Sequence, residues 1–469
     1  MRPAATRPYN PPPLVLLIRL VTALLVGWVA LFSPWEETVL RLMAGAVIVL
    51  ALWPLSRWVE RQDDRYPLIE TMLAVTLPFY ALPLLIQHRL LLPIPAEILQ
   101  QALLGVLLFQ LSLLIAAAAI RGRHRSLQSP LWTEPIIPDD RLPVVGHGLL
   151  LNTAWLAIAT FTDWVPTNLT GTFRALFFGV GLISAFTLAH LWSQDRLSPG
   201  EKLWSAINLL VQLALIASSL LLMHALTLIG VVVLGYFSHS RRVPWALLLP
   251  SLLVFTVLHH GKAHMRQAYW GEGQPELTIT QLPDFFGEWL EIGWLNLRQP
   301  EQGGKLLLLE RSSLLQIAAF VVAQVPDRVP PFRGESYRTI PLQVVPRFLW
   351  PDKPSPNDSI SLLSVGLGLL SRDQAESTSI GFGMIAESYA NFELLGPIVV
   401  GLVLGIFLQW VAVTTGGAAI FSFHGLLRIL TLSWCLNAEV TAALWTSSLY
   451  QACIAVFVPL WAWRLVSSR

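Results

Sequence analysis

Two cations stand inside a short proline-rich segment of a chain that is otherwise poor in charge. The stretch "VVPRFLWPDKPSPN", residues 344–357, holds Arg347 and Lys353 beside Trp350 and among four prolines. Prolines forbid a regular helix and restrict the residue before them, so they hold the cations on an extended path at little entropic cost. Trp350 offers a flat apolar face against which a sugar ring could stack or a lipid headgroup could rest. The alternative is a proline-rich connector with solvated charges.

A carboxylate lies just before an apolar run further along the chain. The stretch "STSIGFGMIAESYANFELLGPIVVGLVLG", residues 377–405, contains Glu387, Tyr389 and Asn391. If this stretch is helical, Glu387 and Asn391 are one turn apart on the same face. A carboxylate at the edge of a membrane is costly unless it is paired, so Glu387 is a candidate functional residue. A salt bridge to a neighbouring arginine is the alternative.

A further group of cations follows directly from an apolar run. In "HHGKAHMRQAYW", residues 259–270, Lys262 and Arg266 are four positions apart and share one face if the helix continues. The alternative is an interfacial anchor in which the aromatic residues at its end lie among lipid headgroups.

Arg311 lies in an apolar run of its own. The stretch "KLLLLERSSLLQIAAFVVAQVP", residues 305–326, has helical apolar spacing. We predict a short re-entrant or interfacial helix here, because a full span would invert the orientation of everything that follows.

Several catalytic and metal-binding patterns are absent from the sequence. It has no phosphate-cradling P-loop, no H-E-x-x-H helix and no Cys/His ligand spacing, so no metal or cofactor is predicted. Cys435 and Cys453 lie in apolar runs, which indicates small buried hydrophobic residues rather than a disulfide framework.

The composition identifies the environment in which these residues must work. Of 469 residues, 54% are hydrophobic and 13% are charged, against roughly 25% charged in a soluble domain. The sequence is therefore that of an all-α integral membrane protein. The formal net charge of +2 gives no basis for nucleic-acid binding, which needs a basic face.

About twelve apolar runs are long enough to cross a hydrocarbon core about 30 Å thick. The first is interpreted as a retained span rather than a signal peptide, because it is long and lacks a convincing cleavage site. The predicted spans are 14–32, 38–55, 67–86, 98–120, 144–161, 173–192, 203–222, 224–238, 244–260, 394–413, 419–436 and 445–463.

The distribution of Lys and Arg predicts the orientation. With the N-terminus inside, almost all cations of the short loops fall on the inner side, and Arg89 is the exception. Both termini are then cytoplasmic. Three regions follow: an N-terminal bundle of about nine spans (1–260), an extracytoplasmic catalytic segment with short or re-entrant helices (261–393), and about three C-terminal spans (394–469).

The order of these motifs resembles bacterial oligosaccharide repeat-unit polymerases of the Wzy (O-antigen polymerase) type. The resemblance covers roughly the C-terminal half and depends most on "PRFLWPDKP" and "ESYANF". The family usually reads Asn-Phe-Gly, whereas Glu393 stands here where glycine is expected. This departure concerns the turn that follows the motif.

The resemblance implies a metal-independent glycosyltransferase of the lipid-sugar-dependent, GT-C-like class. Such enzymes are thought to transfer a growing glycan from undecaprenyl diphosphate to a new lipid-linked repeat unit, at the outer face of the bacterial inner membrane. The implied partners are the undecaprenyl-diphosphate-linked oligosaccharide, membrane lipid and a chain-length-regulating co-polymerase.

The resemblance also gives the cations a function. Negative charge develops on the diphosphate as the glycosidic bond breaks, and arginine grips phosphate through two hydrogen bonds. Arg266, Arg311 and Arg347 are therefore predicted to bind the diphosphate, with Arg347 closest to the chemistry. Lys262 and Lys353 are predicted to support them.

The acceptor hydroxyl must lose its proton as it attacks. Glu387 is the first candidate for the general base and His260 the second, because a dry interface could move the pKa of either towards neutrality. Trp350, Tyr389 and Asn391 are predicted to contact the sugar or to fix the loop.

Two other functions remain open. An O-antigen-ligase-like transferase shares the architecture and would give a single transfer in place of a ladder of repeats. A polysaccharide or lipid-linked-oligosaccharide transporter would predict internal repeats and ionisable residues at mid-membrane, and no such repeat is visible in the sequence.

Overall fold

The computed structural model describes most of the chain, and all regular secondary structure in the described part is helical. The described residues are 13–32, 35–61, 66–86, 90–120, 130–162, 164–165, 167–220, 222–269, 277–298, 313–345, 350, 352–377, 379–437 and 440–467. No strand occurs among these residues, which confirms the all-α prediction.

Nineteen α-helices are numbered in chain order along the described residues. They are α1 (Pro13–Phe32), α2 (Thr38–Arg61), α3 (Leu68–Ala74), α4 (Leu82–Leu85), α5 (Ala96–Ile120), α6 (Pro130–Thr133), α7 (Gly146–Phe161), α8 (Thr167–Ser193), α9 (Pro199–Ser218), α10 (Leu222–Ser240), α11 (Trp245–Tyr269), α12 (Leu282–Arg298), α13 (Leu314–Gln324), α14 (Asp358–Gly366), α15 (Arg372–Ser377), α16 (Gly383–Phe392), α17 (Leu395–Thr414), α18 (Phe423–Cys435) and α19 (Ala442–Ser467). Short 3₁₀ turns cover Asp139–Val145, Ile279–Gln281, Glu335–Tyr337 and Pro341–Val344.

Ten of the described helical segments are long and apolar enough to cross a membrane. They coincide with ten of the twelve predicted spans, so the chain is a multi-pass membrane protein. The other two predicted spans fall on α9 and on α18, which is 13 residues long, and neither is among the ten. A total of twelve spans stays a prediction.

The third candidate span is a broken helix. Between α3 and α4 the backbone forms a π-helical turn, Leu77–Ala81, with Pro78 and Pro83 at the starts of consecutive segments. Proline lacks the N–H that would continue the α-helical pattern, and the wider turn accommodates the missing hydrogen bonds.

The predicted helix within 305–326 is present as α13. The Ser313 side chain accepts a hydrogen bond from the Gln316 N–H and caps its first turn. With 11 residues, α13 is about 16 Å long and too short to span the membrane. It packs against α5, the π-helical turn and α16.

Close helix packing places α16 and α17 beside the first half of the chain. A Cβ at Gly401 or Gly405 would lie 2.6 or 2.5 Å from the carbonyl oxygens of Phe109 and Leu113 in α5. Glycine therefore permits the backbones of α5 and α17 to approach closely, as small residues do in membrane helix pairs.

Contacts between helix ends agree with the predicted alternation of spans. At one side of the bundle, the Gln101 side chain near the start of α5 donates to Tyr389 in α16. At the other side, Arg464 near the end of α19 pairs with Glu134. The alternation places each pair on one side, whereas the assignment of a side to the cytoplasm stays a prediction.

Candidate functional site

Glu387 is the centre of a buried polar cluster that joins three separate parts of the chain. Its side chain is fully buried in α16. Oε1 accepts a hydrogen bond from the Ser336 hydroxyl at 2.9 Å, and Oε2 accepts one from the Ala442 N–H at 2.6 Å. We call Glu387, Ser336, Asn391 and Ala442 the Glu387 cluster.

Asn391 completes this cluster from the same face of α16, as the spacing predicted. Its amide nitrogen donates to the Ser336 hydroxyl at 2.9 Å and to the Glu387 carbonyl at 2.8 Å. Its amide oxygen accepts from the Gly334 N–H at 2.8 Å. Gly334 has a φ of +89°, a conformation that glycine adopts without steric cost. Asn391 therefore fixes the loop that carries Ser336.

The start of α19 supplies the N–H group that donates to the second carboxylate oxygen of Glu387. Thr441 precedes the helix, and its hydroxyl accepts from the Leu444 N–H at 3.4 Å and contacts the Ser359 hydroxyl at 3.0 Å. The first N–H groups of a helix have no partner within the helix and carry partial positive charge. The Glu387 carboxylate therefore satisfies one of these donors in α19.

Burial changes the proton affinity of Glu387. Loss of hydration raises the pKa of its carboxyl from 4.5 to about 7, although the hydrogen bonds from Ala442 and Ser336 act in the opposite direction. At neutral pH this group is therefore poised between its two protonation states, as a general acid or base must be.

The end of the proline-rich segment comes close to the same helix start, because Ser359, two residues after it, contacts Thr441. Its Lys353 is buried, and Nζ donates to the carbonyls of Gln343 and Val345 at 3.3 and 2.7 Å. The turn Pro341–Val344, which includes Gln343, packs against α19. Trp350 is 39% exposed. The alternative interpretation of this segment was a connector with solvated charges. Lys353 does not fit it, because its side chain is buried and bound to backbone carbonyls.

Several polar atoms in the loop before this segment are buried without a partner among the described residues. They are Tyr337 Oη, Thr339 Oγ1 and Gln343 Oε1. Burial and the nearby Glu387 raise the pKa of Tyr337. Buried polar atoms normally have hydrogen-bond partners, so these atoms mark a place where a polar ligand or water could be held.

Tyr389 lies on another face of α16. Its hydroxyl accepts a hydrogen bond from the Gln101 side chain at 2.6 Å. Burial raises the pKa of Tyr389 to about 12, with smaller contributions from Glu393 and Asp327. Tyr389 thus docks α16 onto α5, and the structure does not bring it to Glu387.

Glu393 occupies the turn that separates α16 from α17. Its φ of 51° and ψ of −140° belong to a region that favours glycine. The position at which the sequence departs from the Asn-Phe-Gly pattern is therefore one where the backbone conformation suits glycine.

The cations of residues 259–270 lie in another part of the bundle. The helix continues beyond the predicted span to Tyr269, which meets the condition under which Lys262 and Arg266 share a face, and Arg266 donates to the Leu220 carbonyl at 3.3 Å. His260 is buried, with Nδ1 2.7 Å from the Thr256 carbonyl. Lys262 belongs to the same helix, which packs on α10 and α12, whereas α16 packs on α5, α13 and α17.

Two of the predicted site residues, Arg311 and Arg347, lie outside the described residues. Among the described residues, no group of three or more His, Cys, Asp or Glu side chains could hold a metal ion.

Ser336, Gly334 and Ala442 were not among the residues predicted from the sequence. Ser336 and Ala442 are 51 and 55 positions away from Glu387, and neither belongs to a motif with a known spacing. Gly334 in "FRGESYR" is a residue type that favours turns, and it is the signal that could have indicated this loop.

A second buried charge lies at the opposite end of α17. The Arg428 guanidinium in α18 donates to the carbonyls of Thr415 and Ala418 at 3.1 and 3.3 Å and lies 3.8 Å from the centre of the Tyr66 ring. We call Arg428, Tyr66, Thr415 and Ala418 the Arg428 cluster.

Comparison with known proteins identifies no relative. No family model, no curated protein and no solved structure matches the chain.

Proposed function

We propose that this chain is a membrane-embedded glycosyltransferase that polymerises lipid-linked oligosaccharide repeat units. In this proposal it transfers a growing glycan from undecaprenyl diphosphate to a new lipid-linked unit at the outer face of a bacterial inner membrane, with both termini cytoplasmic. The observation that carries the proposal is the buried Glu387 carboxylate with its pKa near neutrality, beside unpartnered polar atoms and a proline-rich cationic segment.

Glu387 acts as the general base in this mechanism. It takes the proton of the acceptor sugar hydroxyl as that oxygen attacks the anomeric carbon and the bond to diphosphate breaks. Both carboxylate oxygens are occupied by donors from the protein. The loop that carries Ser336 must therefore move aside to free Oε1 when substrate binds.

The cations stabilise the departing diphosphate. Lys353 donates a hydrogen bond to Gln343 in the turn Pro341–Val344, which packs against α19, and Arg347 is six positions before Lys353 in the sequence. Arg311 belongs to the same proposal by residue type and resemblance. Arg266 lies on α11, in another part of the bundle, and is not assigned to this step. Removing one such contact is expected to reduce the rate on the order of 10²-fold or more.

The experiment is glycan chain length in a strain that lacks its own copy of the gene. The strain is complemented with wild type, Glu387→Gln or Glu335→Gln, each confirmed to be expressed and inserted. Glu335 is the matched control, because its carboxylate lies one residue from Ser336 but is exposed. A ladder of repeats with wild type and the control, and single repeats with Glu387→Gln, would support the proposal.

The other outcomes are equally informative. A full ladder from Glu387→Gln would remove Glu387 as the base. A single transfer of finished glycan by wild type would indicate a ligase, and translocation without polymer synthesis would indicate a transporter.

A further inference from the structure

The helix α19 borders a cavity at the end that lies far from Glu387. The cavity has a volume of about 390 Å³ and lies between α6, the start of α18 and the second half of α19. Four of its lining residues are aromatic and none carries a charge: Trp132, Phe423, Phe457, Val458 and Trp461. Trp132, Val458 and Trp461 are 43%, 56% and 51% exposed, so the cavity opens on the outside of the bundle.

The loop before α7 forms one wall of this cavity. The Trp132 ring stacks on His424 at a centroid distance of 5.9 Å and meets the Phe423 ring edge-on at 5.5 Å. Further along the loop, the Ile136 N–H donates to the Phe421 carbonyl at 2.8 Å. These contacts attach the loop to the start of α18. The cavity is therefore a groove between packed elements rather than a gap on the surface of one helix.

The depth of the cavity follows from its position along α19. The candidate span Ala442–Val466 has 25 residues, whereas a hydrocarbon core about 30 Å thick takes about 20 residues of helix. The difference is about five residues, so residues at least that far from both ends lie within the core wherever it falls along the span. Phe457, Val458 and Trp461 meet this condition, so the cavity lies at the depth of lipid acyl chains.

The outer surface of α19 around the cavity is apolar without interruption. Every strongly exposed residue between positions 454 and 466 is apolar: Ile454, Val458, Pro459, Trp461, Ala462, Trp463, Leu465 and Val466. The only charged residue of this stretch, Arg464, has a side chain that is 24% exposed and forms a salt bridge with Glu134 at 2.9 Å. Lipid rather than water therefore surrounds this part of the helix.

We propose that this cavity binds one acyl chain of a phospholipid from the leaflet at this end of α19. An uncharged, largely aromatic lining at this depth matches an acyl chain and offers a phosphate no charged partner. The lining holds the chain and not the headgroup, so binding should depend little on the headgroup.

This inference is independent of the proposed function. Glu387 accepts its hydrogen bond from Ala442 at the start of α19, and Phe457 is fifteen positions later, about 22 Å along the axis. The two sites therefore lie at opposite ends of the same helix, and either one can be altered without the other.

Phospholipid retention by the purified full chain tests the proposal. Val458→Trp places a larger side chain in the lining, so it should exclude the acyl chain. Val466→Trp is the matched control, because Val466 is 74% exposed on the same helix but does not line the cavity. Each protein is incubated in dodecyl maltoside with phosphatidylethanolamine and washed with excess detergent. The phospholipid that remains bound is counted by native mass spectrometry.

The proposal predicts a contrast between the two variants. Wild type and Val466→Trp should retain equal amounts of phospholipid, whereas Val458→Trp should retain at least about twofold less. Phosphatidylglycerol in place of phosphatidylethanolamine should give the same contrast. Helical circular dichroism and a single elution volume check that each variant is folded. If Val458→Trp does not fold, Trp132→Ala replaces it, because it removes the wall that the loop supplies and should also lower retention.

Three results would overturn the proposal. Equal retention by wild type, the folded cavity variant and the control would show that the cavity is not the binding site. Retention of one headgroup but not the other would show that the headgroup, not the chain, is recognised. Preferential retention of undecaprenyl phosphate, when it is offered together with phosphatidylethanolamine, would assign the cavity to a polyprenyl chain instead.

Discussion

The two buried charges at the ends of α17 are stabilised in the same way but tied to the rest of the chain differently. Glu387 accepts a hydrogen bond from the first N–H of α19, and Arg428 donates to carbonyls just beyond the C-terminal end of α17. Neither makes a salt bridge to another described residue. In both cases the partial charge at a helix end takes the place of an oppositely charged side chain.

The difference lies in where the partners come from. Arg428 binds carbonyls only 13 and 10 positions away. Its cluster therefore mainly fixes the short connection between α17 and α18. Glu387 joins segments 51 and 55 positions away, and its neighbourhood contains unpartnered polar atoms. The Glu387 cluster joins distant segments and lies near polar atoms that could bind a ligand. It is therefore a better candidate for a functional site than the Arg428 cluster.

The largest effect is expected for Glu387→Ala. This change leaves the Ala442 N–H and the Ser336 hydroxyl without their acceptor and should lower the free energy of unfolding by roughly 2–5 kcal/mol. Unfolding of the purified protein in mixed micelles by sodium dodecyl sulfate measures it. Glu335→Ala, on the exposed side of the same loop, should change stability by no more than about 0.5 kcal/mol.

The second prediction concerns pH and separates the two clusters. Because burial raises the pKa of Glu387 from 4.5 to about 7, the folded protein binds a proton that the unfolded chain has lost between these values. The contribution of Glu387 to stability should therefore be fully present below the unfolded pKa and be lost as pH rises through about 7, a fall of about 3 kcal/mol.

The measurement is the unfolding midpoint between pH 4 and 8. Glu387→Gln should lose most of this dependence, whereas Arg428→Met should keep it, because that variant leaves the Glu387 carboxyl in place. An unchanged pH dependence in Glu387→Gln would assign the titration to another group.

Arg428→Met tests the local cluster directly. The substitution leaves the carbonyls of Thr415 and Ala418 without their donor but also removes a buried charge, so we expect a net loss of only about 1–2 kcal/mol. The same denaturation measurement applies. A loss larger than that of Glu387→Ala would reverse the ranking of the two clusters.

The smallest effect is expected at the turn next to the Glu387 cluster. Glu393→Gly should stabilise the protein by about 1 kcal/mol, because the positive φ at this position costs less for glycine. Glu393→Ala is the matched control, since it removes the charge but keeps the steric cost. Equal gains from both variants would show that charge, not backbone conformation, matters here.

The sequence predicted the spans well because hydrophobic length is a local property. Ten candidate spans coincide with predicted ones, and the shared face of Glu387 and Asn391 follows from helical spacing alone. The position of Glu393 was also marked in advance, since glycine was expected where the backbone has a positive φ.

What the sequence did not show depends on contacts between distant segments. The approach of Ser336 and Ala442 to Glu387 has no periodic signal, and α12 escaped prediction because Asp284, Glu288 and Glu291 interrupt its apolar residues. Only its packing against α11 shows which of its faces is buried.

The hydrogen bonds that attach the loop before Ser336 to the end of α16 also determine how this loop moves. The amides of Phe332, Arg333 and Gly334 donate in succession to Ala390 O, Asn391 O and Asn391 Oδ1. Three consecutive amides that are bound to the end of one helix should exchange their hydrogens with solvent at a single common rate. That rate would report how often the loop lifts away from α16, and hence how often Glu387 becomes accessible.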